Sequence, residues 1–391
     1  MKIAIITVCK IRNFPPIDAM LKVLLDLGHE ILFITHSKDL DCQNYNSDRL
    51  KNLYIYEKDL SDIVLEKVRS EGILNKKRLA FWGNKAQKMV AVKKLPQTFR
   101  TQLEAVDVVW ILHEDTILAG GKTLVNRIPQ YLYTMYELPL KFEHNKQIYK
   151  YAAQKAAGLI TPDFCRAHIM KAIYQTKQLP YIVPNKPYSH PRQRGLKIED
   201  PKVSEVIENI EASGRKIIMY MGIISGERPL DKIINAVYSE HDKYEFVVIG
   251  EKTSYLEKLQ KEYKNKFIYA GYIKPPEHLA VASHAHIAYV SYIANNGSIN
   301  AVFCAPNKLF EFAGFGIPMI CNDNPNLVFT VKTSGIGRIV YDFNQDNLLT
   351  AINDIEDNYE QLSDNAIQYY ESVDLKEVYS AILKKAENKR I

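Results

Sequence analysis

The sequence predicts an α/β protein made of two doubly wound parallel-sheet units in tandem. Its strand-like runs are short and several are apolar throughout, as expected of parallel strands covered by helices on both faces. Segments of helical period lie between those runs. The series halts after Asn185 in a polar, proline-containing stretch and starts afresh near Lys216. A length of 391 residues suits two domains, each large enough to bury its own core.

The first strand is read at 2–7, where Ile3, Ala4, Ile5 and Ile6 run together. A helical stretch at 17–27 is closed by Gly28, and 30–35 is the second strand. Runs at 52–56, 106–112, 130–135, 159–161 and 181–183 continue the series. Pro184, Pro187, Pro191 and Pro201 then punctuate a stretch holding Arg192, Arg194 and Lys197, which reads as the connection, with a lead-in helix at 203–212. The second series places strands at 216–221, 245–249, 267–270, 286–291, 318–321 and 338–340. Helices are expected at 229–238, 254–263 and 307–315, and the tail 362–390 is helical in period. The expected division is a first domain over 1–190, a linker over 191–214, a second domain over 215–365, and a C-terminal helix over 366–391 that folds back on the first domain. Ligands of open parallel sheets lie beyond the carboxyl ends of the strands. Two such sheets facing across a cleft direct attention to the residues just after each strand.

Hydrophobic residues at 47% and charged residues at 25% exclude a disordered or fibrous chain. Lys+Arg 51 against Asp+Glu 45 leaves a net charge of +6, too little to argue for nucleic acid as a partner. No apolar run approaches the roughly 20 residues that cross a bilayer. The N-terminal run meets Lys10 and Arg12 without a small-residue cleavage site, so it reads as a buried strand and not as a secretory signal. Cys9, Cys42, Cys165, Cys304 and Cys321 are scattered and odd in number, so a reducing cytoplasm is the expected setting. His284 and His286 fall on one side of a strand by period two, but no third ligand has metal-site spacing; they read as structural and no metal is expected.

The most informative segment runs from Ala305 to Pro318. Pro306 precedes a helix that Asn307 can cap, while Leu309, Phe310, Phe312 and Ala313 supply its apolar face. Glu311 is the one acid amid that buried-looking helix, and Gly314 and Gly316 end it. Such a carboxylate can accept two sugar hydroxyls, with the Lys308 cation and the helix amides close to phosphate.

The pattern Asn-Lys-Leu-Phe-Glu-Phe-x-x-x-Gly-x-Pro from Asn307 resembles the donor-site signature of GT-B glycosyltransferases, in particular the large retaining group called family four. The resemblance continues in Gly28-His29-Glu30-Ile31, Tyr136-Glu137-Leu138, Pro184-Asn185, Met221-Gly222 and Val248-Ile249-Gly250, in order along the chain. It implies two Rossmann-like domains, and a hexosyltransferase reaction from a nucleotide diphosphate sugar, UDP-sugar favoured, to a hydroxyl acceptor with retention. It implies that Glu311 holds the ribose. It implies as well that Arg228 and Lys308 bind the diphosphate, with Asn307, Gly222 and Gly250 in the same nucleotide-sugar site. No cofactor is expected beyond the co-substrate.

The departures are specific. Counting back eight from Glu311, where many members carry a first Glu, gives Phe303. Ile223 stands where an Arg often follows the first glycine of the second domain. The donor-sugar contact is therefore looked for at the turn-prone run holding Gly297 and Ser298. In the first domain His113 and Asp115 follow an apolar run directly, and are the candidates for the sugar side and for a base toward the acceptor. The glycine pair Gly120-Gly121 reads as a small turn.

From Gly72 to Leu103 the chain has eight cations and no acid, interleaved with Phe81 and Trp82. Lys76, Lys77, Arg78, Trp82, Lys93 and Lys94 suit an anionic membrane surface on the cytoplasmic side. A lipid-linked or cell-surface glycan intermediate is the acceptor this favours. The alternatives left open are a catalytically silent subunit that supports a partner transferase and a nucleotide-sugar epimerase of the same fold.

Overall fold

The computed structural model describes residues 1–9, 11, 14–35, 45, 47–55, 89, 91–138, 143–293 and 298–388. The chain divides into two compact units, Met1–Pro184 with Leu375–Ile391, and Asn185–Asp374.

The first unit carries one parallel sheet of β1 (Lys2–Thr7), β2 (Glu30–Thr35), β3 (Leu50–Tyr54), β4 (Val108–Leu112), β5 (Leu132–Thr134), β6 (Gly158–Thr161) and β7 (Tyr181–Ile182), in the order β3-β2-β1-β4-β5-β6-β7. Burial explains the apolar runs: Ile3, Ile5, Ile6, Trp110, Ile111 and Leu112 are all fully inaccessible. Helix α1 (Pro15–Asp26) starts with proline in its first turn, where no amide partner is lost, and buries Ile17, Met20, Leu21 and Leu24. Helices α2 (Arg100–Glu104), α3 (Glu114–Arg127), α4 (Glu143–Lys155) and α5 (Phe164–Tyr174) follow. The terminal helix Leu375–Glu387 belongs to this unit: it packs on α1 and β4, sets Tyr379 against Trp110 at 5.7 Å between ring centroids, and pairs Lys376 with Asp26 at 3.0 Å.

The second unit has the order β10-β9-β8-β11-β12-β13, again all parallel, from β8 (Lys216–Met221), β9 (Tyr244–Ile249), β10 (Ile268–Tyr269), β11 (Ile287–Val290), β12 (Met319–Asn322) and β13 (Gly337–Val340). Its helices are α6 (Pro201–Glu211), α7 (Asp231–Ser239), α8 (Ser254–Tyr263), α9 (His278–Ala282), α10 (Ile299–Val302), α11 (Lys308–Ala313), α12 (Pro325–Ser334), α13 (Gln345–Asp357) and α14 (Tyr359–Glu371). The two doubly wound sheets follow the predicted fold class.

The lead-in helix expected at 203–212 is α6: Asp200 caps it through Lys202 N and Val203 N, and Val203, Ile207 and Ile210 bury one face in the second core. Two local expectations are corrected. Gly120-Gly121 is not a free turn but lies inside α3, where Gly121 (φ 57) interrupts the helical dihedrals. His284 and His286 precede β11 and do not share a strand. His284 lies 2.6 Å from Glu211 Oε1 and 2.9 Å from Leu196 O. His286 is 2.8 Å from Glu356 Oε1 and stacks on Tyr359 at 4.2 Å.

Candidate functional site

In the second sheet β8 has β9 on one side and β11 on the other, so the connections leaving β8 and β11 diverge and open a crevice beyond their carboxyl ends. Gly222 leaves β8 at φ 133, a conformation side chains resist. Its amide donates to Ile249 O at 2.9 Å, and a Cβ at Gly250 would overlap Gly222 O. The two glycines let the chains leaving β8 and β9 touch backbone to backbone.

Lys308, the first residue of α11, reaches into this crevice. It is only 7% exposed, and its Nζ takes no hydrogen bond among the described residues. The ammonium lies 4.2 Å from the Tyr220 ring centroid and 5.4 Å from that of Tyr292. A Cβ on Gly222 would stand 3.2 Å from it. Burial pushes the Lys308 amine down to about 7; Arg228 adds to the fall, while Glu311 and the thiols of Cys304 and Cys321 oppose it. Arg228 is the second cation here. Its guanidinium sits 4.8 Å over Tyr292, with Nη1 3.2 Å from Ser225 Oγ and 3.4 Å from Glu227 Oε2. Among the described residues Arg228 has one partly exposed acid in contact and Lys308 Nζ has none, so the pair is short of negative charge, which an anion in the crevice would supply.

Glu311 follows Lys308 by three residues and so shares its side of α11. Its side chain is 13% exposed and Oε1 lies 3.4 Å from His278 Nε2. Its backbone carbonyl lies 2.8 Å from His190 Nε2. His190 Nδ1 accepts the Arg192 amide at 3.1 Å, so Nε2 carries the proton donated to Glu311 O. Burial lowers the His190 ring to about 4, which keeps it neutral. Asn307 stands before α11 in helical dihedrals without a side-chain cap. The amides of Leu309, Phe310 and Glu311 go to Pro306 O and Asn307 O, so the capping expected of Asn307 is absent.

Three buried asparagines, Asn322, Asn324 and Asn326, hold the rim in place and were not singled out from sequence. Asn322 exchanges two hydrogen bonds with the Tyr292 backbone at 3.0 and 2.8 Å. Asn324 Nδ2 donates to Tyr292 O and Ala301 O, and Asn326 Nδ2 to Cys304 O. Their alternation in Cys-Asn-Asp-Asn-Pro-Asn from Cys321 is the signal, but it reads locally as a turn.

In the first unit the corresponding divergence lies between β1 and β4. Thr116 joins their ends, accepting from Val8 N at 3.1 Å and donating to Leu112 O at 2.6 Å. His113 takes φ 71, unusual for a side-chain-bearing residue, and its Nδ1 accepts the Asp115 amide at 3.1 Å as the cap of α3. Its Nε2 is 3.4 Å from Glu114 Oε1, and its ring meets Phe14 at 4.6 Å. His113 and Glu114 are buried; the Asp115 side chain is 56% exposed. Cys9, His113 and Asp115 bring potential ligand atoms within 4.8 Å of one another. With Nδ1 accepting the cap and Nε2 facing Glu114, the imidazole must surrender one of these contacts before it could ligate an ion.

Glu114 Oε2 is buried without a hydrogen-bond partner among the described residues, and burial lifts the carboxyl to about 8, with Glu137 and Asp115 adding to the rise. The folded chain therefore holds a proton that the unfolded chain has released above its ordinary value of 4.5. Stability contributed by this group falls as pH rises from about 5 to about 8, at no more than about 1.4 kcal/mol per unit. Glu114→Gln, which resembles the protonated acid, is expected to flatten that slope and to match or exceed the parent at pH 8. Melting temperatures from pH 5 to 8.5 check this; a variant curve parallel to and below the parent would refute it.

Residues 204–372 match the glycosyl transferases group 1 family. The match lies within the second unit. Among curated proteins no sequence matches the chain. Sucrose-phosphate synthase from Thermosynechococcus elongatus has a similar structure (13% identity, 98% of each chain, TM-score 0.69). So do Anabaena Alr3699/HepE, solved with UDP and glucose (11%, 98% of each chain, 0.67), and WaaG, a glycosyltransferase involved in lipopolysaccharide biosynthesis (12%, 98% of each chain, 0.59). At these identities the likeness is one of fold, and the fold is GT-B.

The second unit departs from the signature where expected. Phe303 ends α10, its amide bonded to Ile299 O at 2.9 Å. Ile223 is 67% exposed just after Gly222. Ser298 precedes α10 without a side-chain cap, and its carbonyl accepts from Ala301 N and Val302 N; Gly297 lies outside the described residues. Of the basic segment, Lys76, Lys77, Arg78 and Trp82 lie outside the described residues as well. Lys93 and Lys94 are exposed on a helical stretch at 91–98 whose Val92 and Leu95 are fully buried. Among the described residues no helix is long and apolar enough to cross a membrane.

Proposed function

We propose that the chain transfers a sugar from a nucleotide diphosphate sugar, UDP-sugar by preference, to a hydroxyl of a glycan or lipid-linked acceptor, with retention at the anomeric carbon. The observation that carries this reading is the buried Lys308 ammonium, without a hydrogen bond among the described residues, beside Gly222 and near Arg228 in the segment that matches the group 1 family. A diphosphate completes that arrangement. Arg228 offers it a planar fork of donors and Lys308 a point charge, together stabilising the leaving group as negative charge builds on it. Glu311 accepts the two ribose hydroxyls and so fixes the donor along the crevice. In a retaining front-face reaction the departing phosphate takes the acceptor proton. His113 and Asp115 are the polar groups proposed for the sugar and the acceptor. UDP in the HepE structure supports the choice of base. The basic segment supports an anionic surface as the place of work, and a cytoplasmic face for it.

Thermal shift and calorimetry with UDP, GDP and ADP test the reading. A ligand at 100 times its dissociation constant adds about 2.7 kcal/mol to the folded state. UDP is expected to shift the melt most, and transfer from a UDP-sugar to added acceptor to follow. Binding without transfer to any acceptor would indicate the silent subunit; binding of none of the three would refute the proposal.

A further inference from the structure

We infer that His278 is a positioning residue for Glu311, setting how strongly the site discriminates ribose from deoxyribose. The inference rests on the reading of Glu311 as the ribose carboxylate. It starts from one geometric fact: α9 packs on α11 and places His278 Nε2 3.4 Å from Glu311 Oε1, both side chains 13% exposed. A carboxylate can only accept, so Nε2 carries the ring proton and Nδ1 is left as an acceptor. His278 Nδ1 is buried with no hydrogen-bond partner among the described residues. A ring that merely filled space here would leave one polar atom unsatisfied for no return, and leucine would pack without that cost. What the imidazole supplies is the donor toward Glu311.

The consequence is directional. Glu311 is held at both ends, its backbone carbonyl by His190 and its Oε1 by His278. A carboxylate with one oxygen tethered has fewer rotamers to lose when a diol docks on it, so the preference for a 2′-hydroxyl is larger than a free side chain would give. Remove the tether and the Glu311 carboxylate remains, but its orientation is no longer set in advance.

Calorimetry with UDP and 2′-deoxy-UDP tests this, with the guanine and adenine pairs run in parallel, on the parent, H278Q, H278L, E311Q and the double variant H278L/E311Q. H278L is expected to lose about ten-fold in affinity for UDP and little for 2′-deoxy-UDP. H278Q, whose amide still donates, is expected to stay within about three-fold of the parent for both. In the E311Q background, which keeps only one neutral acceptor oxygen, H278L is expected to cost much less than in the parent, because the two residues act through one contact. Equal losses for both nucleotides in H278L, or additive losses in the double variant, would overturn the assignment. Should H278L fail to fold, H278A, which also removes the donor, and its cycle with E311Q carry the same decision. A parent that binds the ribo- and deoxyribonucleotides alike would overturn the reading of Glu311 itself, and this assignment with it.

Discussion

Glu311→Ala is expected to lose about 100-fold or more in nucleoside diphosphate affinity while melting within about 3 °C of the parent. The two halves of that statement come from different parts of the geometry. A carboxylate accepting two hydroxyls makes two charge-assisted hydrogen bonds, each contributing about 1.5–3 kcal/mol. In the unliganded fold the same side chain has one long contact to His278, at 3.4 Å, so its removal costs the fold little. The hydrophobic side of α11 is untouched, because Leu309, Phe310, Phe312 and Ala313 make its buried face. Glu311→Gln keeps one acceptor oxygen and is expected to fall between parent and alanine. Calorimetry with UDP alongside a thermal melt separates the effects; alanine binding UDP within three-fold of the parent would remove Glu311 from the ribose.

The fold was legible because parallel strands buried on both faces must be written as apolar runs. The runs at 2–7, 30–35 and 216–221 coincide with β1, β2 and β8, and elsewhere the ends shift by one or two residues, as for β11. The placement of Glu311 and Lys308 was legible for a related reason: a motif within one short helix keeps its geometry whatever surrounds it. What escaped notice depends on residues far apart in sequence. His278 meets Glu311 across 33 positions, and Asn322 meets Tyr292 across 30. No periodicity encodes such pairs. Asn324 and Asn326, read locally, are turn formers. The partner carbonyls that make them buried struts, Tyr292 O and Cys304 O, belong to another segment altogether. Gly120-Gly121 misled in the opposite direction. Glycine pairs usually mark turns, but α3 tolerates the break because Leu124, Val125 and Ile117 bury its apolar side.

Lys308→Met is expected to do two things at once: to make the unliganded protein more stable and to cripple donor binding. Near neutral pH the parent folds with an ammonium that burial disfavours, its value lowered from 10.5 to about 7. Below about 7 both folded and unfolded chains carry the proton and the penalty is fully present. Between about 7 and 10.5 the unfolded chain keeps a proton the folded chain has released, so stability from this group rises with pH, by at most about 1.4 kcal/mol per unit. Methionine has a similar length and no charge, so it removes both the penalty and the slope. A gain of several °C in melting temperature is expected at pH 7, fading toward pH 9. The loss appears on the ligand side. A diphosphate beside Lys308 restores the charged form, so binding near pH 8 should take up a fraction of a proton approaching one. Calorimetry in buffers of different ionisation enthalpy reads that uptake directly. The variant should show none from this site and bind UDP about 10- to 100-fold more weakly, the worth of one hydrogen-bonded charge. A methionine variant that melts lower than the parent, or binds UDP as tightly, would show that the buried cation serves the fold and not the donor.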